Sequence, residues 1–142
     1  HDQVPLNNSQ VLFDYLYQSM REKKREQFKV IFMDARNRVT AIKTLFEGSL
    51  TGSSIYPREV VRAALDCHAA AVIFAHNHPS GVLTPSKQDR QLTKQLFLAC
   101  SMMHIRLLDH LIIGDGHFSF ADAGIIDQIA EWCGSVTSTA GT

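Results

Sequence analysis

Residues 76–89 read HNHPSGVLTPSKQD, which sets His76, His78, Ser86 and Asp89 in the pattern H-x-H-x7-S-x2-D. Two imidazoles and a carboxylate can fill three positions of a tetrahedral zinc site and leave the fourth for water. The elements around the pattern account for its spacing. Ala71 to Ala75 is a short apolar run that reads as a buried strand. Side chains two apart on a strand share a face, so His76 and His78 can converge where that strand ends. Pro79, Ser80 and Gly81 then turn the chain. Thr84 is a candidate helix N-cap and Pro85 suits the first helical position. Ser86 and Asp89, three apart in the opening turns, would face the same way.

The rest of the chain supplies a scaffold for that point. Val11, Leu12, Tyr15, Leu16 and Ser19 follow a helical spacing, with Ser9 a candidate cap. Phe28 to Met33 reads as a strand, Asp34 to Arg38 as a polar turn and Val39 to Leu50 as a second strand, together a hairpin. Pro57 opens a helix with an apolar stripe of Val60, Val61, Ala64 and Leu65. The helix after the histidines is expected to bury Leu92, Leu96, Ala99 and Met103. Ile105 to Ile113 and His117 to Phe120 form a second hairpin, and a short helix is expected within 122–133. The pattern predicts an α/β fold, a single domain with a central mixed sheet flanked by helices. Residues 1–8 read as a loose lead-in, 9–134 as the domain and 135–142 as a disordered tail.

Composition narrows the function classes. Fourteen basic residues balance fourteen acidic ones, so there is no electrostatic footprint for nucleic acid. Cys67, Cys100 and Cys133 are odd in number and far apart, which argues against a disulfide frame or a thiolate metal site. That suits a reduced, cytoplasmic setting. The longest apolar run is too short to span a membrane. The chain opens on His1 rather than Met, which leaves room for a missing N-terminal part with a targeting or DNA-binding role.

The same spacing is a family signature. H-x-H-x7-S-x2-D resembles the metal motif of the JAMM metallopeptidases, also called JAB or MPN proteins. The wording around it is narrower. HNHPSG at 76–81, YPRE at 56–59 and LDHLIIG at 108–114 resemble the bacterial RadC proteins, over about Glu26 to Gly124. The resemblance implies a JAB/MPN-like fold and a zinc ion held by His76, His78 and Asp89. It implies a peptidase or isopeptidase using a metal-activated water, with the Ser86 hydroxyl supporting the oxyanion. It also implies an upstream glutamate as proton carrier. Glu26 and Glu47 compete for that role, and the family pattern favours Glu26, at the junction of the first helix and first strand. By itself Glu26 is one more charge in a charged run, and Ser86 an ordinary serine at a helix start.

Other function classes are weighed against this one. RadC proteins carry a DNA-repair label, but the contiguous His-Asn-His matches the HNH nucleases in name only. Nucleic acid would enter only through missing regions or partners. A non-catalytic interaction module is disfavoured because every motif residue is present. His68, His104 and His117 stand alone and are assigned no chemistry. His110 beside Asp109 could form a ligand pair or a catalytic dyad, but it lies inside the apolar strand Leu107 to Ile113, where a satisfied core hydrogen bond is the expected role.

Overall fold

The computed structural model describes residues 9–48 and 55–140. The lead-in over 1–8 and the loop residues 49–54 fall outside the described residues. Nine elements follow in chain order: α1 (Ser9–Met20), β1 (Glu26–Met33), β2 (Val39–Gly48), α2 (Pro57–Asp66), β3 (Ala71–Asn77), α3 (Lys87–Met102), β4 (Arg106–Gly114), β5 (Gly116–Ser119) and α4 (Ile125–Ala140). The five strands make one mixed sheet in the order β2-β1-β3-β4-β5. Among the described residues only β3 and β4 run parallel, and α3 is the crossover that a parallel pair requires. The expected α/β architecture is what the chain adopts.

Both faces of the sheet are covered, which is why all seven residues of β3 are buried. On one face Phe28, Val30, Phe32, Val72, Phe74 and Ile112 pack with Val60, Leu96, Cys100 and Ile129 of the helices. On the other, Ile31, Met33, Ile73, Ala75, Leu111 and Ile113 pack against Leu12, Leu16 and Met20 of α1. Residues of β1 and β3 therefore alternate between two cores, and the face of each polar residue is set by its register.

Two expectations for the helices need correction. The buried stripe of α3 is Thr93, Leu96 and Cys100; Leu92 is half-buried and Met103 exposed. The stripe is rotated because Thr93 has a buried polar partner, which hydrophobicity alone does not register. Helix α4 also runs on through Ala140, past Ser135, where a disordered tail was expected. Its inner face is anchored by Ile125, Ile126, Ile129 and Cys133 at helical spacing. Among the described residues, no helix is long and apolar enough to cross a membrane.

Candidate metal centre

His76 is the penultimate residue of β3, on the face that carries Phe74 and Val72. His78 follows the strand, and its N–H donates to the Ile113 carbonyl at 2.9 Å, extending the β3–β4 ladder by one step. Both imidazoles therefore share a face. Gly81, at φ +87, turns the chain back, and its N–H donates to the His78 carbonyl at 2.8 Å. The turn lies against the β4–β5 connection so closely that a Cβ on Gly114 would meet the Gly81 carbonyl oxygen at 2.6 Å. A Gly114→Ala variant must push that turn, and His78 with it, away from β4. It should lower both the melting temperature and metal affinity; isothermal titration with zinc on the folded variant checks the second.

Asp89 arrives from α3. The helix starts two residues later than Thr84 and Pro85 suggest: Ser86 is the N-cap and Asp89 occupies the third helical position. The Asp89 N–H donates to Ser86 Oγ at 3.0 Å, and the Ser86 N–H donates to Asp89 Oδ2 at 2.8 Å. This reciprocal box satisfies two helix-end donors at once, and an exposed Thr84 has no comparable second bond. It also holds the Asp89 carboxylate in one orientation. The cap and the candidate ligand are thus one device.

The three side chains meet. His76 Nε2 lies 3.0 Å from His78 Nε2 and 3.1 Å from Asp89 Oδ1, and His78 Nε2 lies 3.3 Å from Asp89 Oδ2. Donors held about 2.0–2.1 Å from a tetrahedral zinc ion are separated by about 3.3–3.4 Å, and one donor atom from each of the three residues lies within 4.8 Å of the others, so modest side-chain shifts bring the set onto an ion. Two nitrogens and one carboxylate suit zinc chemically as well. Burial works against the Asp89 charge, but His76 and His78, when protonated, donate hydrogen bonds that outweigh it and hold the carboxyl far below its usual range. The hydrogen bond to Asp89 raises the His78 imidazole against the effect of burial, and the charge of Glu26 adds to that rise.

Register separates the two glutamates. Phe28 pairs with His76 and Glu26 lies two residues earlier on β1, so Glu26 projects from the histidine face. Glu47 pairs with Gln27 and projects from the opposite face, where Gln27 Nε2 donates to its carboxylate at 3.2 Å. Asn77 braces the strand at Glu26. Its Oδ1 accepts from the Gln27 N–H at 2.6 Å, and its Nδ2 donates to the Arg25 carbonyl at 3.1 Å. The two main-chain groups flanking Glu26 are thereby tied to the residue between the two histidines.

Two neighbours of the centre were not picked out from the sequence as part of it. His110 is fully buried, as a core histidine should be, but its partner is the candidate ligand: His76 Nδ1 lies 2.8 Å from His110 Nε2. Thr93 Oγ1 lies 2.6 Å from His110 Nδ1. Asp109 does not pair with the His110 ring; its carboxylate accepts from the His110 N–H, the Ser119 hydroxyl and the Ala121 N–H. Thr93 is four residues after Asp89, a spacing that could have drawn attention to it. His68 and His104 sit at helix ends with φ of +53 and +58, and His117 lies tilted against the Phe13 ring, all outside the cluster.

The RadC-like JAB domain model matches residues 6–125, which contain every residue of this centre. The chain belongs to the RadC-like JAB family. It is 48% identical over 120 residues to a UPF0758 protein of Cellvibrio japonicus, covering 84% of this chain and 54% of the relative. A UPF0758 protein of Vibrio parahaemolyticus is 50% identical over 113 residues, 79% of this chain and 50% of the relative. The chain spans about half the length of the curated relatives it matches. In this RadC-like domain the His76, His78 and Asp89 group could hold a metal ion.

Proposed function

We propose that this RadC-like domain is a zinc-dependent hydrolase of amide bonds, a peptidase or isopeptidase. The observation that carries the proposal is the convergence of two imidazole Nε2 atoms and one carboxylate beside a glutamate on the same sheet face. His76, His78 and Asp89 would hold the zinc. Zinc there would supply a Lewis acid and lower the pKa of bound water. Glu26 takes the proton released as water attacks the carbonyl carbon, and returns it to the departing amine. The Ser86 hydroxyl donates to the carbonyl oxygen as that atom gains negative charge. Its Oγ accepts the Asp89 N–H, which fixes the oxygen and leaves its own hydrogen free to point at substrate. A screen of peptide and isopeptide substrates, run with zinc-loaded and with chelator-treated protein, tests the proposal. Zinc-dependent cleavage of amides is expected. Cleavage of nucleic acid with no amide product would overturn it.

Ser86→Ala has two expected effects, because the same side chain is a cap. Loss of the cap should cost about 1 kcal/mol of stability. Loss of an oxyanion donor should lower kcat by about a hundredfold to a thousandfold. Thermal unfolding and turnover on one preparation separate them: a stability loss with unchanged kcat would leave Ser86 only its cap.

A further inference from the structure

Two main-chain carbonyls determine the hydrogen positions around the centre. A carbonyl oxygen only accepts, so His78 Nδ1, 2.8 Å from the Val82 carbonyl, must carry the ring hydrogen. In the neutral ring that leaves His78 Nε2 with a lone pair. The second carbonyl belongs to Asp89. Thr93 Oγ1 lies 2.7 Å from it and must donate its only hydrogen there. Thr93 is then an acceptor toward His110, so His110 Nδ1 carries the hydrogen and His110 Nε2 has the lone pair. His110 Nε2 in turn accepts from His76 Nδ1, which in the neutral His76 ring leaves a lone pair on Nε2. One directional chain thus runs from His76 through His110 and Thr93 back to Asp89, another of the three candidate ligands. The rings of Phe28, Phe74 and Phe120 enclose His110, with Phe120 stacked on it at 4.7 Å between centroids.

We propose that His110 and Thr93 are positioning residues that lock His76 in the tautomer with hydrogen on Nδ1 and its Nε2 free to bind metal. This rests on the metal-centre reading above, but adds two residues that touch neither metal nor substrate. Neutral histidine has two tautomers, and only one of them offers Nε2. With valine in place of Thr93, nothing accepts the His110 Nδ1 hydrogen. The His110 ring can then hold its hydrogen on Nε2 and donate it to His76 Nδ1. That moves the His76 hydrogen to Nε2, the atom that would bind metal. Outer partners of this kind typically change metal affinity by about tenfold to a hundredfold.

Nitrogen-15 NMR of the histidine rings tests this on the chelator-treated chain, well above the ordinary imidazole pKa of about 6.5. The unsubstituted protein should show hydrogen on Nδ1 of both His76 and His110, and any other assignment overturns the proposal. Thr93→Val should shift His76 toward the Nε2–H form, and Thr93→Ser should restore Nδ1–H. Titration of the same three proteins with zinc should show affinity about tenfold to a hundredfold weaker for Thr93→Val and near the original for Thr93→Ser. An unchanged His76 tautomer in a folded Thr93→Val protein sinks the proposal. Zinc binding absent from all three, with the tautomer switch present, would instead remove the metal reading and leave the relay standing. If Thr93→Val does not fold, the ring assignment in the unsubstituted protein still decides.

Discussion

Purified, zinc-loaded protein should contain about one zinc per chain, and His76→Ala and Asp89→Ala should each lose most of it. Elemental analysis after gel filtration reads the result directly. The reason is geometric: each substitution removes one of three donor groups whose nearest atoms lie 3.0 to 3.3 Å apart. The two variants differ in what else they disturb. His76 is almost wholly buried, and its loss leaves His110 Nε2 without a partner, which should cost about 1–3 kcal/mol of stability. Asp89→Ala instead breaks the helix cap. Asp89→Asn is the cleaner companion, because an amide oxygen can still accept the Ser86 N–H but carries no charge for the metal. Circular dichroism should show all three folded. Full zinc occupancy in His76→Ala and Asp89→Asn would exclude the assignment.

Glu26→Gln should retain zinc and lose hydrolysis, by about a hundredfold to ten-thousandfold in kcat. The amide keeps the shape of the side chain but cannot take a proton. Glu47→Gln should keep most activity, because Glu47 projects from the face opposite the histidines and is engaged with Gln27. The two variants need equal zinc content for the comparison to stand. The reverse ranking would transfer the role to Glu47 and would mean that the sheet register does not govern access to the centre.

Much of this was legible in the residues. An apolar run ending in His-x-His announces a buried strand that delivers two imidazoles to one face, because strand side chains alternate whatever the fold. The polar turn at Asp34–Arg38 was equally local: the Asp34 carboxylate accepts from the N–H groups of Arg36 and Arg38, close by in sequence. The proline-led start of α2 was readable for the same reason.

Apart from the helix cap, the remainder depended on partners distant in sequence. Thr84 and Pro85 form a plausible helix start by residue type, and only the closing of the Ser86–Asp89 box placed the cap two residues later. A threonine in an apolar stripe looks like an interruption until His110, seventeen residues away, is found against it. The contest between Glu26 and Glu47 could not be decided by composition. A shift of one residue in strand pairing exchanges the faces, and the pairing of Phe28 with His76 puts Glu26 on the histidine face. Sequence alone determined which residue types could bind a metal and that local geometry would bring His76 and His78 together. Tertiary structure decided which glutamate shares their face and which buried groups orient them, because strand register and hydrogen-bond direction are properties of paired segments and not of any one segment.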